Sequence, residues 1–98
     1  MAKLSTEAQL VLVSLADGPK HGYAITQDIA RFAGRTLRPG TLYGAIARLE
    51  SWGYIEALAG DERRRPYRIT AHGTRALKDT ISDMQRVGAT ARRRLAAR

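Results

Sequence analysis

The residues of this chain that can do chemistry are mostly arginines, and the chemistry open to them is anion recognition. Of 17 basic residues only Lys3, Lys20 and Lys78 are lysines. A guanidinium presents a planar fork that suits phosphate and guanine edges better than an ammonium does. Arg63, Arg64 and Arg65 adjoin in a charged run. Lys20-His21-Gly22-Tyr23 and Arg38-Pro39-Gly40-Thr41-Leu42-Tyr43, with Arg48 downstream, set basic groups beside hydroxyls and glycines. A net charge of +8 on 98 residues, with a pI near 10.8, favours polyanionic partners: DNA, RNA or an acidic membrane.

Covalent and metal chemistry find no support. The absence of cysteine removes disulfide frameworks, thiol catalysis and zinc ribbons. His21 and His72 stand far apart, which argues against a metal site. No serine, histidine and acid arrangement stands out, and no glycine loop that cradles phosphate. The expectation is therefore a non-enzyme with no catalytic residue and no cofactor. The first apolar run stops at Asp17-Gly18-Pro19, too short to span a bilayer, and no signal peptide is visible. A cytoplasmic location suits these features.

The elements that must position these groups can be read from periodicity. Residues 6 to 15 predict a helix capped by Thr6, with Gln9 three residues on. Leu4, Ala8, Val11, Leu12 and Leu15 form its inner face, while Leu10 and Val13 lie elsewhere around it. A helix apolar on several sides is buried on several sides, which points to a subunit contact. Residues 22 to 33 predict a second helix, with Tyr23, Ile25, Ile29 and Phe32 inward and Gly34 closing it. Residues 39 to 52 predict a third. It has Pro39 at its first position, Leu42, Ala45, Ile46 and Leu49 inward, and Gly53 at its end.

The period then changes. Tyr54 to Ala59 and Arg65 to Thr70 predict two strands around a charged turn, with Pro66 at a strand start or edge. Thr70 can cap a last helix running from about Ala71. Leu77, Ile81, Met84, Gly88, Ala91 and Leu95 recur along it at heptad-like spacing. One narrow apolar stripe on a polar helix calls for a second subunit. The fold class expected is mainly α with a small β-hairpin. It is a winged helix-turn-helix over residues 1–70 with a C-terminal dimerisation helix over 71–98.

These residues also carry a family likeness. Leu15-Ala16-Asp17-Gly18-Pro19-Lys20-His21-Gly22-Tyr23-Ala24-Ile25 resembles the first-helix end and second-helix start of PadR-like transcriptional regulators. Pro39-Gly40-Thr41-Leu42-Tyr43, Arg48-Leu49-Glu50 and Gly53-Tyr54-Ile55 resemble their recognition helix and its exit. Tyr67-Arg68-Ile69-Thr70 and Gly73 resemble the strand and cap after the wing. The likeness spans about residues 8 to 77. It implies a prokaryotic transcription factor, usually a repressor. Such a protein binds double-stranded DNA as a homodimer that pairs through its first and last helices. Three positions depart from the pattern: Arg38 replaces a capping serine, Gly44 a proline, and Pro66-Tyr67 a pair of tyrosines.

Under that reading the third helix enters the major groove. Thr41, Tyr43 and Arg48 would make contacts there, Gly44 and Ala47 would allow close approach, and Arg38 would reach a phosphate. Lys20, His21, Gly22 and Tyr23 would meet a phosphate at the second helix N-terminus. Arg63, Arg64 and Arg65 would lie along the minor groove. The plain alternative for each set is a solvated surface, with Tyr23 in the core. Arg92, Arg93, Arg94 and Arg98 are explained by the dipole of the last helix. Leu10, Val13, Leu77, Ile81, Met84, Gly88, Ala91 and Leu95 are the expected dimer contacts. Some relatives bind aromatic effectors between subunits, but the last helix here has no aromatic residue, so an effector is not indicated. A protein-interaction module would need an acidic or apolar third helix. A general RNA or chromatin binder would not distinguish operator from random duplex. A membrane anchor would need Trp and Phe in the last helix.

Overall fold

Helix α1 (Thr6–Leu15) is the element on which the others pack: α2 (Gly22–Ala33), α3 (Pro39–Ser51) and α4 (Ala71–Ala96) all contact it. The computed structural model describes residues 4–61 and 64–97; Arg63 and Arg98 lie outside the described residues. Ala8, Val11, Leu12 and Leu15 are fully buried, as their spacing predicts. The cap is Ser5 rather than Thr6. Ser5 is extended, and its Oγ accepts from the Ala8 N–H at 3.1 Å. Gln9 does not close a capping box; its side chain donates to the Leu4 carbonyl at 3.2 Å. Leu10, expected at the dimer contact, is half-buried and packs partly against the chain's own core. Most of the apolar surface of α1 is thus consumed within the subunit, and Val13 is the large apolar residue it leaves exposed.

Helix α2 buries Gly22, Ile25 and Ile29, and Gly34 ends it in the left-handed conformation at φ 65°. Tyr23 and Phe32 were expected inward but lie exposed, because the inward row runs through Ile25 and Ile29. One buried polar residue links α1 to α2: the Ser14 hydroxyl donates to Asp28 Oδ2 at 2.8 Å. Helix α3 begins at Pro39, buries Leu42, Ala45, Ile46 and Leu49, and exits at Gly53 with φ 74°.

Strands β1 (Ile55–Ala57) and β2 (Tyr67–Ile69) pair antiparallel, with Ile55 opposite Ile69 and Ala57 opposite Tyr67. They are shorter than the composition suggests. Pro66 has no N–H to donate, so only its carbonyl continues the ladder, accepting from Leu58 N at 2.8 Å. A third segment joins them unforeseen. Lys20, in the α1–α2 turn, exchanges both backbone hydrogen bonds with Tyr67, at 2.9 and 3.2 Å. The arrangement is a winged helix-turn-helix, mainly α with one small hairpin.

Thr70 fixes the start of α4. Its hydroxyl accepts from the Gly73 N–H at 3.0 Å and donates to the Gly53 carbonyl at 2.7 Å. The first turns of α4 belong to the core, and Leu77, expected in the dimer seam, is only 7% exposed there. Its side chain sits at the level where α4 still crosses the domain. Beyond it, Ile81, Met84, Val87 and Leu95 are exposed. Gly73 lies so close to the α3–β1 exit that a Cβ there would stand 2.0 Å from the Tyr54 carbonyl oxygen. That contact is with backbone and cannot rotate away. Gly73→Ala is expected to cost about 3 kcal/mol or more, as overpacking against backbone does. Thermal melts at fixed protein concentration check this, and an unchanged midpoint contradicts the close approach.

Candidate nucleic-acid interface

The four helices of the described residues begin in two ways. Helices α1 and α4 are capped by Ser5 and Thr70 side chains. Helices α2 and α3 start at His21 and Arg38, and neither side chain makes a cap hydrogen bond. The first-turn N–H groups of α2 and α3 are therefore left without a side-chain acceptor from their own caps. Such groups, at the positive end of a helix dipole, suit an anion.

Tyr43, in the second turn of α3, reaches the start of α2. A Cβ added at Gly22 would lie 2.3 Å from the Tyr43 hydroxyl oxygen and 2.9 Å from its Cζ. The Tyr43 ring thus rests on the opening turn of α2, and only glycine at position 22 leaves room for it. The blocks His21-Gly22-Tyr23 and Pro39-Gly40-Thr41-Leu42-Tyr43, separate in sequence, meet at this contact. Tyr67 closes the group from β2. Burial first, then the nearby Glu50 carboxylate and Tyr43, push the Tyr67 hydroxyl above the usual tyrosine range.

The outer side of α3 has a definite pattern. Gly40, Gly44, Ala47 and Ser51 recur at spacings of four, three and four, opposite the buried row. Thr41 and Arg48 share one flank, seven residues apart, while Tyr43 and Glu50 share the other. Thr41, Tyr43 and Arg48 are exposed, as is Arg38 at the helix start. Neither the Arg38 nor the Arg48 guanidinium bonds to a described residue. The smallest side chains thus occupy the centre of the outer face, with polar groups along both edges.

Other expected site residues fall differently. Tyr23 is 67% exposed beside the α2 start. Gly22 is buried under Tyr43, so its contribution is space and a backbone N–H. Lys20 is not free for a phosphate. Its ammonium bonds to the Ser14 carbonyl and to Asp17, and this pair holds the Asp17 carboxyl below the usual range. Arg64 and Arg65 are exposed at the hairpin tip, where Asp61 accepts from the Arg64 N–H at 2.9 Å. Arg68 in the wing is tied to Glu56 across the strands.

The seam residues Ile81, Met84, Ala91 and Leu95 are exposed on α4, and Gly88 is partly so. Val87, which the heptad count passes over, is 66% exposed beside them.

Sequence reasoning missed Arg35. It lies in the α2–α3 turn, and its guanidinium donates to Glu7 Oε2 at 3.0 Å. Its partner is 28 residues away, so no local spacing signals the pair. Among the described residues no cluster of histidine and acidic side chains could hold a metal, and no helix is long and apolar enough to cross a membrane.

Comparison with known proteins places this geometry. The model of the transcriptional regulator PadR-like family matches residues 11–79. The chain is 45% identical over 78 residues to an uncharacterized 37.1 kDa transposon protein of Streptomyces fradiae, and spans 80% of itself but 23% of that protein. It is 36% identical over 72 residues to a transcriptional regulator of Mycobacterium tuberculosis, covering 70% of this chain and 66% of that one. The structure of a transcriptional regulator from Clostridium thermocellum superposes with a TM-score of 0.78 at 31% identity, over 88% of this chain and 89% of the other. A PadR family regulator from Clostridium difficile shares the fold, with a TM-score of 0.80 at 24% identity over 93% and 99% of the two chains. This chain belongs to the PadR-like family of transcriptional regulators.

Proposed function

We propose that this chain binds double-stranded DNA in the cytoplasm as a homodimer, and represses transcription from a palindromic operator. The observation that carries the reading is the junction of α2 and α3. Tyr43 of α3 rests on the opening turn of α2, both helices start without side-chain caps, and Arg38 and Arg48 are exposed. In this reading the first turns of α2 and α3 face phosphates, and the small-residue face of α3 lets the backbone enter the major groove. Thr41 and Arg48 on one edge, and Tyr43 on the other, then reach base edges or the groove wall. Arg64 and Arg65, with Arg63 beside them in sequence, extend the contact along the duplex as the wing.

The dimeric reading is supported by what α4 leaves uncovered. Ile81, Met84, Val87 and Leu95 would cost free energy in water, and a second copy of the helix removes them from it. Gly88 and Ala91 permit close crossing in the middle of that stripe. Val13 on α1 is a further exposed apolar residue that a partner could cover. Two copies would set two α3 helices about one helical turn apart on DNA, or a small multiple of it. No aromatic residue of α4 is available to hold a planar effector, so control by a small molecule forms no part of this reading.

Gel shifts on duplex DNA across a salt series should show affinity falling steeply with salt, and binding indifferent to salt would contradict the phosphate contacts. Arg48→Ala should weaken operator binding by about 1–3 kcal/mol while leaving the melting midpoint in place. Gly22→Ala separates fold from function. Alanine is favourable in a helix and only the end of a side chain must move, so stability should change by less than about 1 kcal/mol. Displacing Tyr43 should nevertheless weaken duplex binding, and a variant that binds as the unaltered protein does would deny Tyr43 its role. Ile81→Asp should yield folded monomers by light scattering, with operator affinity lower by on the order of 100-fold, since the second half-site no longer benefits from the first. Tight operator binding by such a monomer would overturn the dimeric arrangement.

A further inference from the structure

Four arginines surround the α2–α3 turn and α3 itself: Arg31, Arg35, Arg38 and Arg48. Two of them are held by carboxylates. Arg31 makes a long contact of 3.5 Å with Asp28 on its own helix. Arg35 makes a shorter one, 3.0 Å, with Glu7 on a different helix. Arg38 and Arg48 have no such partner among the described residues. The Glu7–Arg35 bond is therefore the one link in this group that ties the α1 start to the turn leading into α3.

Glu7 already has a local reason to stand in the first turn of α1, where a carboxylate complements the helix dipole. That reason does not require Arg35. Nor does the turn need the pair for its anchoring, because Leu37 buries its side chain in the core between Arg35 and Arg38. The pair also remains within reach of solvent, with Glu7 28% and Arg35 45% exposed at their side chains. Its arginine can change partners without any change of fold. The Arg35 hydrogen bond first, then a backbone hydrogen bond, hold the Glu7 carboxyl below its usual range, and the charges of Arg35 and Arg48 add to this.

A carboxylate and a phosphate compete for the same guanidinium fork. On a chain of net charge +8, sequence-independent affinity rises with each phosphate that is neutralised. We propose that Glu7 sets the affinity of this surface for DNA by withholding Arg35 from the phosphate backbone. The inference rests on the DNA-binding reading above and adds to it an acidic residue whose effect on binding is negative. Glu7 touches no DNA in this scheme; it acts through Arg35 and is a positioning residue.

The test uses the full chain and a random-sequence duplex of about 30 base pairs. Binding is measured across salt for the unaltered protein, Glu7→Gln, Arg35→Ala and the double variant. One released arginine adds about one phosphate contact, so Glu7→Gln should bind about tenfold more tightly at roughly 0.05 M salt, with a salt slope steeper by about 0.9. Arg35→Ala alone should change little, since its guanidinium is already engaged. In the double variant the gain should vanish. A Glu7→Gln protein with the affinity and slope of the unaltered one would overturn the proposal. So would a gain that survives in the double variant, because Glu7 would then act by general repulsion and not through Arg35. Melting curves confirm that all four proteins are folded. If the unaltered protein and every variant ignored the duplex, the DNA-binding reading itself would fall and this inference with it. Duplex binding that Glu7→Gln leaves unchanged would remove the inference alone.

Discussion

The burial of α1 is the constraint on which the rest of the molecule depends. Ala8, Val11, Leu12 and Leu15 have almost no exposed surface, and α2, α3, β2 and α4 each pack on this one short helix. In a chain of 98 residues there is little other core to share. The angle between α2 and α3, which decides where any reading helix points, is thus set by how each seats on α1. Polar bonds pin the same helix from its far end. Ser14 gives its hydroxyl to Asp28 on α2 and its carbonyl to Lys20, and Lys20 in turn pairs its backbone with Tyr67 in the hairpin. That residue ties the wing to the α1–α2 turn, beside the packing of β2 on α1 and of β1 on α3. Lys20 therefore does structural work that its charge would not suggest.

Two close approaches turn this scaffold into a site. At Gly22 the absence of a side chain admits Tyr43, which joins the opening turn of α2 to the second turn of α3. At Gly73 it admits the Tyr54 carbonyl, which fixes where α4 leaves the domain. The first defines the surface offered to an anion, and the second defines the direction of the exposed apolar stripe on α4. In the dimeric reading both are needed at once. The reading helices can match a duplex only if each subunit holds α3 and α4 in a fixed relation.

Much of this was legible in the sequence where a feature is local. The helical rows Ala8-Val11-Leu12-Leu15 and Leu42-Ala45-Ile46-Leu49, the Thr70 cap, and the terminating Gly34 and Gly53 follow from spacing and backbone chemistry. What was not legible depends on tertiary neighbours. The apolar residues around α1 suggest a subunit contact, yet Leu10 is half-buried against the chain's own core, and Leu77 on α4 lies within it. Tyr23 and Phe32 fit a helical apolar face on paper, but the core meets α2 along Ile25 and Ile29. Lys20 read as a phosphate ligand because its acceptors, a backbone carbonyl and Asp17, leave little trace in a basic stretch. The Glu7–Arg35 pair joins residues too distant in sequence for any periodicity to find.

In the dimeric reading, two copies of α3 held in fixed relation read a symmetric DNA sequence. Selection of bound duplexes from a random pool tests it most directly, since the enriched sequences report specificity, symmetry and spacing together. Two α3 helices related by a two-fold axis should enrich an inverted repeat whose half-sites lie about one helical turn apart, or a small multiple of it. Recovery of sequences with no common motif, or of a single unpaired half-site, would contradict it.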